Sequence, residues 1–457
     1  MAVGSKVERL TPLDILMPRT YIATLLTFRT TQSVATLSRG LEAGLKSLFR
    51  RVPWLSGCVC PTQLPEGGKH GLEIRWDATE GNPAALIDKG SVPIEYDTSA
   101  GGLLPEDIPS NVWPVPSFID DDLFSKGAPV FAASIFRFSD NKGVGLCICM
   151  HHNAVDATGF AEVLRLWTKG LTALESHSLS PLSDRVSRLS NALSAELKTV
   201  SSMNPDELFH LHPEYSPTPP TLPISFPPCS CKLFAFPILK INDVKERLDG
   251  QESTMRSTNA VLCAIIWSAI TAARKQSDSD LAKGTSKLVT AVNGRRRIKA
   301  LSTPEYPYLG NTVLYSLAEA SVESLSVSFD EPSNQILRSI ADTVSQSQSS
   351  TQIHEYRIAE VYKLADSVDD YRAIFPGWDI FGARDMVITS WANLGLYDLD
   401  FGTGLGKPEF VRIRGSPADG VAIILPRRND VLEVMLMLRT HDMDVLEQDS
   451  MWTTFVN

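Results

Sequence analysis

Residues 143–150, GVGLCICM, constrain this chain more than any other stretch. In an extended strand, successive side chains point to opposite faces. Val144, Leu146, Ile148 and Met150 then share one face, and Cys147 and Cys149 the other. Both faces are apolar, so the strand belongs inside a sheet that is covered on both sides. Downstream, FAEVLRLWTKGL puts Phe160, Val163, Leu164, Trp167 and Leu171 on one stripe of a core-facing helix. Between the two lies HHNAVDATG, residues 151–159, with His152 four residues before Asp156. A histidine at that junction is held by a rigid element and exposed by a loop, which suits a general base.

The rest of the chain reads as two α/β halves. Residues 34–49 have the period of an amphipathic helix that stops before Pro53, and 57–61 and 71–76 suggest short strands. PVFAASIFRF, 129–138, reads as a strand turning through SDNKG into the 143–150 strand. Residues 213–228 contain seven prolines, which resist helix and sheet pairing alike and favour an extended connection. The expected organisation is an N-terminal lobe over 1–205, a crossover linker over 206–231 and a C-terminal lobe over 232–457. The second half holds an expected strand at 232–238 and a helix from Ser257 or Thr258 to Arg274. A buried strand at 286–293, a hairpin of GVAIILP and VLEVMLML, and a last helix near 442–449 follow.

A length of 457 residues exceeds one ordinary core and favours two domains. A formal net charge of -10 argues against a nucleic-acid binder or a protein held on anionic membranes. No apolar run approaches the ~20 residues that span a bilayer. The first residues lack a signal-peptide core and TTFVN matches no lipid or peroxisomal signal, so a cytoplasmic protein is expected. Seven cysteines, six of them in C-x-C pairs, fit packed thiols better than the C-x₂₋₄-C spacing of zinc sites.

Three clusters carry candidate chemistry. On spacing alone, His152 and Asp156 can be read as a catalytic pair, as ordinary strand-end and cap residues, or, with less support, as half a metal site. The remaining histidines, His70, His177, His210, His212, His354 and His441, are scattered and supply no second pair, so no metal is expected. His151, adjacent to His152, points to the opposite face and reads as structural. In VNGRRRIKALSTPEYPYLGN, 292–311, Arg295 directly follows a buried strand and suggests an inward arginine seeking a carboxylate. Arg296, Arg297 and Lys299 remain for solvent or phosphates. In TSWANLGLYDLDFGTGLGKPEF, 389–410, the glycines form no dinucleotide fingerprint, because no strand–glycine–helix unit surrounds them.

Taken in order, LTPLDILMPRTY, VPWLSGCV, HHNAVDATG, STNAVLCAIIWSAITAAR, VNGRRRI with YLGN, and TSWANLGLYDLDFGTGLGKPEFVR resemble segments of the BAHD-type acyl-CoA-dependent acyltransferases. The resemblance is to the fungal branch that includes trichothecene 3-O-acetyltransferases, and it spans nearly the whole chain. It implies a chloramphenicol acetyltransferase-like α/β fold of two similar-sized lobes, each of mixed sheet and helices, around a solvent channel. It implies acyl-CoA, acetyl-CoA in the first place, as co-substrate with no resident cofactor, and a small hydroxylated secondary metabolite as acceptor. A monomer is expected.

The family's base falls on His152, acting without an acyl-enzyme. Asp156 becomes an orienting residue turned toward Arg295. Thr389 and Ser390 would line the channel and Trp391 would offer an oxyanion donor. Asp400, Gly402 and Gly404 would give structural support, the TSW and DFGTG segments together completing the channel. Ser257, Arg296 and Lys299 are the candidate CoA contacts. LTPLDILMPRTY corresponds to the family's opening strand. Two departures stand out: Ala157 follows the motif aspartate, with glycine only at 159, and Thr403 replaces the plant tryptophan in DFGTG. Three alternatives use the same fold: N-acylation, condensation-domain chemistry on carrier-bound chains, and cyclase or isomerase chemistry.

Overall fold

The computed structural model describes residues 5–62, 68–77, 86–96, 102–172, 184–249, 256–301, 306–325, 331–402, 404–415 and 418–456. Two large sheets dominate them. The first is built from β1 (Tyr21–Arg29), β2 (Ile87–Val92), β3 (Phe131–Phe138), β4 (Gly143–His151) and, from far along the chain, β9 (Phe410–Ile413). The second takes β5 (Cys229–Pro237), β6 (Thr285–Asn293), β7 (Val313–Ser321), β8 (Met386–Ser390), β10 (Val421–Ile424) and β11 (Val431–Arg439). Their spatial orders are β9-β1-β4-β3-β2 and β5-β11-β10-β8-β6-β7. A smaller four-stranded sheet is formed by Ser5–Arg9, Leu72–Asp77, Cys58–Pro61 and Ala128–Pro129.

Strand β4 is buried along its whole length. Val144, Leu146, Ile148 and Met150 enter one core with α2 (Val34–Arg51) and α3 (Ala157–Thr172). Cys147 and Cys149 enter a second core with Tyr96, Leu103 and Trp113. The two faces read from the sequence therefore feed two separate hydrophobic layers. All seven cysteines are free, and five of them are buried.

In the second sheet β6, β8 and β10 run parallel to one another. Met386, Ile388, Ala422, Ile424, Val434 and Leu436 pack beneath α4 (Thr258–Ser277), α5 (Glu331–Ser347) and α7 (Thr440–Gln448). Helix α4 is apolar on nearly every side and lies buried, as such a helix must. The opposite sheet face sends Met435, Met437 and Cys231 into the core of the first sheet. The two lobes thus share a packed boundary, and α6 (Glu355–Ser367) joins a further cluster with Leu189, Leu208 and Tyr308.

Three expectations need correction. LTPLDILMPRTY is not a strand: Ser5–Arg9 precedes it, β1 follows it, and between them Thr11 and Asp14 form a capping box around the one-turn helix α1 (Pro12–Ile15). Residues 129–138 are divided between two sheets: Ala128–Pro129 pairs with Val59 and Cys58 in the small sheet, Val130 continues that register by donating to the Gly57 carbonyl, and β3 then starts at Phe131 in the first sheet. The crossover is shorter than 206–231: Pro205–Leu211 is helical, and Cys229 already pairs with Arg439 in the second sheet. Separately, the strand that follows DFGTG crosses back to pair with β1.

Candidate active site

The loop after β4 is fixed by hydrogen bonds on every side. The His152 amide donates to the Thr20 carbonyl at 2.8 Å. The His152 carbonyl accepts from Asn311 Nδ2 at 2.9 Å. Asn153 Nδ2 donates to the Asp14 and Met17 carbonyls, both at 2.8 Å. Cradled in this way, the His152 ring is half-buried, with Nδ1 sealed from solvent. Burial lowers its pKa below the ordinary imidazole value of 6.5, although its own carbonyl, the Asp156 charge and Asn311 oppose that shift. The ring is therefore neutral at neutral pH. His151 is wholly buried, and desolvation pushes its pKa down to about 3.

Asp156 points away from the histidine. Its Oδ2 accepts from Arg295 at 2.7 Å and from the Thr312 amide at 3.0 Å. Its Oδ1 accepts from the Gly159 amide at 2.9 Å, capping α3. Arg295 also donates to Tyr308 O and Thr312 Oγ1, and to the Gly310 carbonyl. This buried pair ties the loop of the first half to the YLGN turn of the second, 139 residues apart in sequence. The glycine displaced to 159 has a steric reason: a Cβ there would lie 2.2 Å from the Leu309 carbonyl oxygen.

A second lock was not read from the sequence. Asp14, fully buried, accepts from the Asn311 amide at 2.7 Å, from Asn311 Nδ2 at 2.9 Å, and from the amide and hydroxyl of Thr11 at 2.8 Å each. Arg185 stands 3.5 Å from the same carboxylate. One aspartate thus holds the asparagine that holds the histidine carbonyl. An acidic residue inside a single helical turn gave no periodic signal; only the Thr11-Pro12 cap ahead of it and the YLGN asparagine marked the two ends.

The remaining expected residues divide. Thr389 and Ser390 end β8, and Trp391 follows, buried against Phe160 at 5.7 Å between ring centroids. That places Trp391 against Phe160 in the first turn of α3, the helix that Asp156 caps. Asp400, Gly402 and Gly404 lie elsewhere. Asp400 is exposed and accepts only from the Gly402 amide at 2.9 Å among the described residues. Gly402 has φ 89°, and the Gly404 carbonyl accepts from Thr30. Thr30 follows the far end of β1, whose other end pairs with His151, so DFGTG sits roughly 27 Å along the strand from the histidine. It anchors Phe401 against Phe28 and Trp167, at a distance from His152. Thr403 and His177 lie outside the described residues.

Ser257 caps α4, accepting from the Ala260 amide at 3.1 Å, while Arg296 and Lys299 are exposed. Arg297 donates to Gln348 O, just past α5, and Arg256 bonds Asp342 within α5, so these cations and Ser257 lie toward one end of that helix. Among the described residues, no group of three or more His, Cys, Asp or Glu is arranged to hold a metal ion, and no helix is long and apolar enough to cross a membrane.

Residues 105–452 match the model of the Transferase family. The chain belongs to these BAHD-type acyl-CoA-dependent acyltransferases. Two curated fungal relatives cover almost all of this acyltransferase. The O-acetyltransferase ptmV of Penicillium ochrochloron is 25% identical over 98% of this chain and 96% of its own length. The trichothecene 8-O-acetyltransferase of Fusarium sporotrichioides is 25% identical over 96% of each. Among solved structures, F. sporotrichioides TRI101 complexed with coenzyme A and T-2 superposes with a TM-score of 0.80 at 20% identity, over 99% of both chains. The BAHD acyltransferase fold is thereby shared across the whole chain.

Proposed function

We propose that this acyltransferase moves an acyl group, in first place acetyl, from acyl-CoA to a hydroxyl of a secondary metabolite, with His152 as the general base. The observation that carries the reading is a neutral imidazole fixed by backbone bonds, beside a carboxylate engaged by Arg295 and by the Thr312 and Gly159 amides. Nδ1 is shut off from solvent, so Nε2 is the nitrogen left to meet an acceptor, and its lone pair is the one the reaction uses. The acceptor O–H gives its proton to Nε2 as the oxygen attacks the thioester carbonyl. The tetrahedral oxyanion collapses, the C–S bond breaks, and the imidazolium returns its proton to the CoA thiolate. Both substrates are held at once and the thioester is already activated, so no acyl-enzyme is required.

Trp391 is the candidate donor to the oxyanion, because it packs on Phe160 in the first turn of the helix that Asp156 caps. The exposed Arg296 and Lys299, with Ser257 at the α4 N-terminus, are the candidate phosphate contacts. Support for an alcohol acceptor comes from the O-acetyltransferases among the relatives. The test is release of free CoA from acetyl-CoA in the presence of a panel of alcohols and amines, with purified wild-type and His152→Ala protein. The variant should lose about 10²–10⁴-fold in kcat while remaining folded. Full activity in folded His152→Ala would sink the assignment.

A further inference from the structure

The helix Arg185–Ala192 lies outside the six motif segments, yet one of its faces abuts the His152 loop. Arg185 opens this helix and is buried. Its Nη1 donates to the Ala154 carbonyl at 2.8 Å. Ala154 is the midpoint of the loop, two residues from His152 and two from Asp156. The Arg185 Nε donates to Glu8 Oε1 at 2.8 Å, on the strand Ser5–Arg9. The guanidinium lies over the Trp54 ring, 4.4 Å from its centroid. Arg188 shares that helix face at i+3. It donates to the Tyr306 and Pro307 carbonyls at 2.6 and 3.1 Å, and stands 5.6 Å from the centroid of the Tyr308 ring.

We propose that Arg185 is a positioning residue: it holds the midpoint of the loop and thereby fixes where the His152 ring stands. Its effect on turnover rests on the acyl-transfer reading of His152. Geometry is the first argument. His152 is tied to Thr20 and Asn311, and Asp156 to Arg295. Arg185 holds the chain between those two ends. A bond to Glu8, a bond to Ala154 and a stacked face together define the guanidinium plane, so the donor meets the carbonyl in one orientation. Neutralising Glu8 and the buried Asp14 would need only a point charge, with neither the Trp54 face nor a carbonyl acceptor.

The second argument is the partner arginine. The turn that Arg188 holds leads into the Tyr308 and Gly310 carbonyls, which accept from Arg295. One helix face therefore carries both sides of the lock, Arg185 on the loop and Arg188 on the turn. The two arginines line a common crevice of about 10 Å³ with Trp54 and Tyr308. That volume admits one water at most, so neither arginine meets a substrate there.

Full-length Arg185→Lys and Arg185→Met are compared with wild type. Urea midpoints give stability. CoA release from acetyl-CoA, with the fastest alcohol of the panel, gives kcat and both KM values. Diethyl pyrocarbonate labelling of His152, read by peptide mass spectrometry against the exposed His441, reports how the ring is set. Arg185→Met should lower the urea midpoint most. Arg185→Lys keeps a charge beside Glu8 and Asp14 and should recover most of that midpoint, which keeps the test valid if Arg185→Met does not fold. Lysine lacks the planar fork, so kcat should stay about 10–100-fold down with both KM values within about twofold, and His152 labelling should run several-fold faster. A wild-type labelling rate at His152 in folded Arg185→Lys overturns the inference. With His152→Ala inactive, so does a wild-type kcat per folded molecule or a loss confined to KM. With His152→Ala fully active, or no alcohol acylated, the acyl-transfer reading falls on its own and the labelling rate alone decides.

Discussion

Replacing Asp156 separates a structural anchor from a chemical partner. In Asp156→Ala the buried Arg295 guanidinium loses this carboxylate and keeps the neutral acceptors already described, the Tyr308 and Gly310 carbonyls, the Thr312 hydroxyl and the Asn293 amide. Removing one member of such a buried pair costs about 3–5 kcal/mol. The cap on the Gly159 amide is lost as well, typically ~1 kcal/mol. Asp156→Asn keeps the shape and one acceptor, and its cost should fall to about 1–3 kcal/mol. Urea denaturation measures the stability of each variant, and CoA release measures kcat on the folded fraction. The expected pattern is a large loss of stability in Asp156→Ala, a smaller one in Asp156→Asn, and kcat per folded molecule within about tenfold of wild type for Asn, since only the mount is loosened. In the double variant Asp156→Ala/Arg295→Met, part of the lost stability should return, because no cation remains buried alone. The reasoning is refuted if Asp156→Asn keeps full stability and loses kcat as severely as His152→Ala; the carboxylate would then act in the chemistry itself.

Four further outcomes follow from the same geometry. The acid limb of the kcat/KM profile should have its midpoint below 6.5, since burial depresses the His152 pKa; activity falls as pH drops through that midpoint, and a midpoint above 6.5 contradicts the assigned environment. Gly159→Ala forces a Cβ toward the Leu309 carbonyl and should cost about 1–3 kcal/mol in urea unfolding, with kcat reduced through displacement of the loop. Asp14→Asn turns an acceptor of four donors into a half-donor and should lose about 1–3 kcal/mol while lowering kcat more than it raises either KM. Arg296→Ala with Lys299→Ala should raise the KM of acetyl-CoA several-fold, increasingly so at low salt, with kcat and acceptor KM unchanged.

How much of this was legible in the sequence depended on whether a local rule governed the residue. β4 could be read because both of its faces are apolar, and α4 because an apolar run followed a serine cap. The Asp156–Arg295 pair came from motif order, and no periodicity would have linked residues 139 apart. Asp14 escaped because α1 is a single turn closed by its own capping box, too short to show a pattern. The C-terminal helix Ser450–Phe455 escaped for a similar reason. It is six residues long, and its case rests on Trp452 packing edge-on against Phe234 and Phe236, both more than 200 positions earlier. The place of DFGTG in the fold was not legible, because its glycines speak of turns and say nothing of which sheet the next strand will join.

That returning strand shapes the birth of the protein. β1 is buried along eight of its nine residues and needs β9 on its open side, yet β9 ends 384 positions after β1 does. At ordinary synthesis rates the gap amounts to about 20–80 s. Through that interval the first sheet stands with an apolar, unpaired edge, the kind of surface on which nascent chains associate. No cut between the halves yields a first lobe with its sheet complete. The first lobe's sheet closes only when residues 410–413 have been made and have crossed back to it.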